Sequence, residues 1–225
     1  MAEQQRSDFK KWLEKLVGLF SGLPWIEIIG DVWKLGRQML QSSGNAGLFE
    51  VLEYESTLEL KDRQGEMATF KKREKVRYLK DNVIAYQDQA WGDGEILVDY
   101  RCTPGVPVDQ YRSGHKTYIL ISRREVKNKG ETDEFNIQWR MKRGFLRQTE
   151  QWETNVRHPT KELVVIVIFP KSRPPRQATL IESTRQRSHS LEKKETTLLP
   201  DGRTKITWEK SKPRLHETYI IQWEW

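Results

Sequence analysis

Asp88, Asp93, Glu95 and Asp99 fall within Tyr86–Tyr100, the densest group of carboxylates in the chain. Oxygen-rich loops with glycine at the bend suit calcium, and Gly92-Asp93-Gly94 supplies such a bend. The spacing departs from the EF-hand pattern, and turns between strands use Asp and Gly for backbone reasons alone. The expectation is therefore an acidic turn rather than a metal site. Pro107-Val-Asp109, followed by Glu125-Val-Lys127, imitates the acidic pair plus lysine of metal-dependent nucleases. Two-fold side-chain alternation would place Glu125 and Lys127 on one strand face. The surrounding sequence lacks the helices such a nuclease fold uses, which favours a solvated strand face.

Cys102 and Ser113 are nucleophile types, and His115, His158 and His216 are base types. No Gly-x-Ser-x-Gly elbow presents the serine, the histidines lack metal-ligand spacing, and no glycine loop cradles a phosphate. No catalytic residue, metal or cofactor is expected, and the chain reads as non-enzymatic. Binding residues are easier to nominate. Trp91 and Asp93 share the glycine-rich turn, and Arg173 and Arg176 share the basic, proline-stiffened Lys171-Ser-Arg-Pro-Pro-Arg176. Arg185, Arg187 and His189 follow that loop, while Arg123, Arg124, Arg140, Lys142 and Arg143 alternate with Trp139 and Phe145. Basic groups beside aromatics suit single-stranded nucleic acid.

These residues need elements to hold them. From Phe9, apolar side chains recur at Trp12, Leu13, Leu16, Val17 and Phe20, the spacing of an amphipathic helix. Ser21-Gly22-Leu23-Pro24 breaks it, and a second stripe runs through Trp25, Ile28, Ile29, Val32, Trp33 and Met39 until Ser42-Ser43-Gly44-Asn45. Residues 1–45 thus read as an amphipathic helical hairpin. Its apolar face has three possible uses: packing on the body, docking or self-association, or lying on a membrane surface, for which the lysines opposite Trp12 and Leu13 are suited.

After residue 46 the period changes to two. Leu52, Tyr54, Leu58 and Leu60 read as one strand face; Phe70, Val76 and Tyr78 as the next; Phe135, Ile137, Trp139 and Met141 alternate with Asn136, Gln138 and Arg140. Arg143-Gly144 turns the chain into a strand over 145–156, and Asp201-Gly202 signals a two-residue hairpin. Tyr219, Ile221, Trp223 and Trp225 lie on one face. Leu163 to Phe169 is apolar throughout, which predicts burial on both faces. Many short strands at hairpin spacing predict a mainly β fold, an antiparallel β-sandwich or barrel-like body over 46–225.

Composition agrees with a folded body. The 225 residues include nine Trp, seven Tyr and seven Phe, and 39 basic against 32 acidic side chains give +7. Residues 151–225 hold 14 basic and 9 acidic groups, most of the excess. A lone cysteine forms no internal disulfide and fits a reducing compartment. The N-terminus lacks the pattern of a secretion signal. The uncharged run Leu16–Ile26 is 11 residues, against about 20 for a bilayer span. The expectation is a cytoplasmic protein without a transmembrane span.

Asp81-Asn-Val-Ile-Ala-Tyr-Gln-Asp-Gln-Ala-Trp-Gly-Asp-Gly-Glu95 and the closing Glu217-Thr-Tyr-Ile-Ile-Gln-Trp-Glu-Trp225 resemble β-rich modules of uncharacterised bacterial proteins, some attached to signalling or defence-type regulators. The resemblance implies a bacterial β module over about residues 50–225 and a recognition role, with no activity or functional residue attached. With abundant Trp and Tyr, which favour interfaces, it makes an interaction module that binds a protein partner or ligand the leading expectation. A membrane-active effector using the N-terminal helices and a nucleic-acid binder using the proline loop are the alternatives, with a metal-dependent nuclease behind them.

Overall fold

The computed structural model describes residues 47–225. The expected helical hairpin over residues 1–45, with its face of Phe9, Trp12, Leu13, Leu16, Phe20, Trp25 and Trp33, lies outside the described residues. Among them the regular structure is all strand. Seven strands form the largest sheet: β1 (Phe49–Leu60), β2 (Met67–Tyr78), β4 (Glu95–Thr103), β7 (Thr132–Lys142), β9 (Thr160–Phe169), β12 (Thr196–Leu198) and β13 (Thr204–Ser211), in the order β12-β13-β9-β1-β2-β7-β4. Four more, β8 (Thr149–Asn155), β10 (Gln177–Glu182), β11 (Arg187–Ser190) and β14 (Thr218–Glu224), pair as β11-β10-β14-β8. A third sheet pairs β3 (Val83–Ala90), β6 (Lys116–Lys127) and β5 (Val106–Ser113) in the order β3-β6-β5.

Alternation explains how these sheets stack. On β7, Phe135, Ile137, Trp139 and Met141 are buried while Asn136, Gln138 and Arg140 are exposed. The inner face of the large sheet meets both smaller sheets. Phe70 and Trp139 contact Trp152 of β8, at 5.1 and 6.5 Å between ring centroids. Phe169 meets Trp223 of β14 edge-on at 5.4 Å. Elsewhere on that face Phe135 stacks on Tyr86 of β3 at 4.0 Å. The two small sheets therefore share one floor, and the layering is sandwich-like, without closure into a barrel.

Five details differ from the sequence reading. Pairing is antiparallel except between β1 and β9, which run parallel from Val51↔Thr160 to Glu59↔Ile168. A bulge between Val51 and Glu53 shifts the alternation of β1, so Val51 replaces Leu52 in the buried set. The run 145–156 is a strand only over Thr149–Asn155. Asp201-Gly202 sits in a longer loop closed by Leu199 N–H donating to Arg203 O and Gly202 N–H to Leu199 O, and it joins β12 to β13 within the large sheet, away from β14. On β9, Leu163, Val165, Val167 and Phe169 are fully buried but Val164, Ile166 and Ile168 only half-buried. Their outer neighbours in register are Glu55, Thr57 and Glu59 on β1 and Glu209, Thr207 and Lys205 on β13, and the stems of such long side chains cover apolar surface while their charges stay wet.

Candidate binding cavity

β2 carries the feature that composition conceals. Phe70 and Val76 are core residues, so the two-residue period forces Lys72 and Glu74, between them, onto the same inward face. Both are buried, with 8% and 5% exposure. Asp88 of β3, 2% exposed, meets them from the small sheet. The Lys72 ammonium donates to Asp88 Oδ1 at 2.6 Å and to the Tyr86 hydroxyl at 3.1 Å, and lies 3.0 Å from Glu74 Oε2. Tyr86 in turn donates to Glu74 Oε2 at 2.7 Å, and Tyr100 to Asp88 Oδ2 at 2.9 Å. Burial alone would lower the pKa of Lys72, but the Asp88 and Glu74 carboxylates outweigh it and hold its pKa well above the lysine value. Burial would likewise raise Glu74. Lys72, with the hydrogen bond from Tyr86, instead pulls it below the carboxylate value. Tyr54, beside this network, is pushed up to about 12, chiefly by burial. Lys72 is therefore a fixed cation. It lacks the free amine that Schiff-base or general-base chemistry needs.

This network floors a cavity of about 390 Å³ at the junction of the three sheets. Its wall is aromatic: Tyr54 and Phe70 come from the large sheet, Tyr86 from β3, Trp91 just beyond it, Trp139 from β7 and Trp152 from β8. Trp91 and Trp152 lie nearly parallel, 15° apart with centroids at 6.0 Å. His158 adds an imidazole packed on Phe49 at 4.2 Å. Burial, resisted by Glu74 and reinforced by Arg157 and Lys72, lowers its pKa and favours the neutral ring. Among the described residues, nine buried side-chain polar atoms lack a hydrogen-bond partner. Four belong to this wall: Trp91 Nε1, Trp139 Nε1, Thr154 Oγ1 and His158 Nδ1. The size and the aromatic lining with a few polar groups are those of a small-molecule site.

The residues nominated from sequence separate. Trp91 lines the cavity, with the Lys116 ammonium 5.4 Å from its ring centroid. Asp93 faces solvent and pairs with Arg147 at 3.1 Å. Arg173 lies over the Trp225 ring at 3.9 Å and donates to the Arg63 carbonyl, so its guanidinium is used within the fold. Arg176 is exposed. The acidic run disperses as well: Asp88 enters the network, Glu95 pairs with Lys142 at 3.4 Å and Asp99 with Arg140. Glu125 pairs with Lys127 at 2.8 Å and Arg123 at 2.7 Å, while Asp109 accepts from its neighbour Gln110. No group of metal-ligating side chains converges among the described residues. The Cys102 thiol is pushed up to about 11 by burial and by Asp88, which opposes thiolate chemistry. No helix among the described residues is long and apolar enough to cross a membrane.

Lys72, Glu74, Tyr86 and Trp152 were not singled out from sequence. The signal was present for the first two, because a strand whose Phe70 and Val76 face inward cannot keep Lys72 and Glu74 outside.

No family model and no curated protein matches the chain. Among solved structures it is similar to an M1 zinc metallopeptidase from Deinococcus radiodurans, with TM-score 0.46 and 11% identity over 79% of this chain and 42% of that one. It is also similar to a putative protease from Parabacteroides distasonis, with TM-score 0.46 and 11% identity over 80% of this chain and 41% of that one. The chain thus spans well under half the length of these structures.

Proposed function

We propose that this chain is a non-enzymatic recognition module whose β body takes a small ligand, or one side chain of a protein partner, into the cavity at the three-sheet junction. The observation that carries this reading is the pairing of an aromatic wall with a buried, hydrogen-bonded charge network at its floor. Aromatic walls supply contact area and shape, and a few fixed polar groups supply orientation. Lys72 is held as an ammonium and both carboxylates pair with it, which suits orienting a bound group. Bacterial origin, a cytoplasmic setting and self-association go with this proposal, and a membrane-active effector using the N-terminal helices or a nucleic-acid binder using the proline loop are its alternatives.

The test is direct titration of the full chain with a phenethyl series, comprising phenethylammonium, 2-phenylethanol and 3-phenylpropanoate, followed by calorimetry. The expected result is saturable one-to-one binding of at least one member, weakened about tenfold or more in Trp91→Ala, a loss of the size that removing an aromatic contact produces. Failure of every member to bind overturns the reading.

A further inference from the structure

Glu74 meets both of its partners through one oxygen. Lys72 lies 3.0 Å from Oε2 and Tyr86 donates to the same atom at 2.7 Å. The other oxygen, Oε1, takes no hydrogen bond among the described residues and is not one of the sealed unpartnered atoms. Glu74 is itself a lining residue of the cavity, with its side chain 6% exposed. The floor also carries unequal charge, one ammonium, Lys72, against two carboxylates, Glu74 and Asp88. A carboxylate buried without full compensation is costly, and a cation brought to it recovers that cost.

Of the other positive groups at the cavity, Arg157 and His216 also line it. Arg157 donates to Gln89 Oε1 at 2.8 Å and lies 5.5 Å from the Tyr118 ring centroid. Lys116 sits over Trp91, and His216 is exposed at the rim. The wall itself favours cations, because the faces of Tyr and Trp rings carry negative potential. Lys72 already exploits this, lying 5.5 Å from the Tyr86 centroid and 6.0 Å from that of Tyr54.

We propose that the cavity selects an organic ammonium, its N–H group donating to Glu74 Oε1 and its hydrocarbon part lying among Trp91, Trp139 and Trp152. This rests on the cavity being a binding site at all, and the same three probes separate the two claims. At matched ionic strength, wild-type protein should bind phenethylammonium at least tenfold more tightly than 2-phenylethanol, and 3-phenylpropanoate more weakly still. Glu74→Gln, which keeps the shape and removes the charge, should cut the ammonium affinity at least tenfold and erase its preference over the alcohol. Equal or tighter binding of the alcohol or the propanoate overturns the ammonium assignment while the cavity stands. Binding by none of the three overturns both. The wild-type comparison decides without the variant, so a poorly folding Glu74→Gln protein leaves the proposal testable.

Discussion

Lys72 is the residue on which the site turns, since its one buried ammonium pairs with both Glu74 and Asp88. Removing one partner of a buried ion network leaves uncompensated charge. Lys72→Met should therefore cost about 3–5 kcal/mol in urea unfolding. Adding Glu74→Gln and Asp88→Asn to it should restore much of the loss. A triple variant no more stable than the single one would mean the charges do not drive the effect. His158 gives the pH counterpart. Its folded pKa lies below the ordinary 6.5, so the unfolded chain binds the proton first, and the contribution is whole above that value and lost as pH falls through the folded pKa. His158→Phe, which keeps the ring contact to Phe49, should flatten the fall in thermal midpoint between pH 7 and 5. An unchanged slope would assign that fall to other groups. Glu74, also lowered, adds its own loss only below the carboxylate value of 4.5.

At the scale of elements, the cavity exists because two small sheets sit on one large one without meeting edge to edge. β2 supplies its floor and is held by the hairpin before it. Asp62 accepts from the Glu66 and Met67 amides at 3.0 and 2.7 Å. Gly65, at φ 78°, passes against the Phe145 carbonyl, where a Cβ would collide with backbone. Arg143 and Phe145 amides donate back to Glu66 and Gly65 carbonyls at 2.7 and 3.2 Å, so this corner ties β2 to the end of β7. Gly65→Ala should destabilise by at least about 1–3 kcal/mol, seen as a lower urea midpoint with unchanged slope. A neutral outcome would mean the corner relaxes freely. The strands were legible in sequence wherever one face is buried and the other wet, as on β7. Partners were less so. Nothing in the local pattern of Ile206 and Trp208 says that β13 joins β9 rather than β14, or that β9 runs parallel to β1, because those pairings are set by contacts far apart in sequence. The Val51/Glu53 bulge likewise moves one strand's parity without a glycine or proline to announce it.

For the whole molecule, the sequence nominated Trp91 through its place in a turn, and the fold sets it on the wall of the cavity. It grouped Trp91 with Asp93 through the turn, whereas the fold sends the indole inward to Trp152 and the carboxylate outward to Arg147. Arg173 was similarly chosen for its charge and is used for its planar face on Trp225. Among the described residues two indole populations result: Trp91, Trp139 and Trp152 around the cavity, and Trp208, Trp223 and Trp225 packed with Tyr219 and Phe169. That division makes the central claim observable residue by residue, through the indole N–H resonances of the full chain labelled with nitrogen-15 and titrated with phenethylammonium. The account predicts progressive, saturable shifts for Trp91, Trp139 and Trp152, with Trp208, Trp223 and Trp225 unmoved. Shifts confined to the second group, or none in the first at saturating amine, would contradict it.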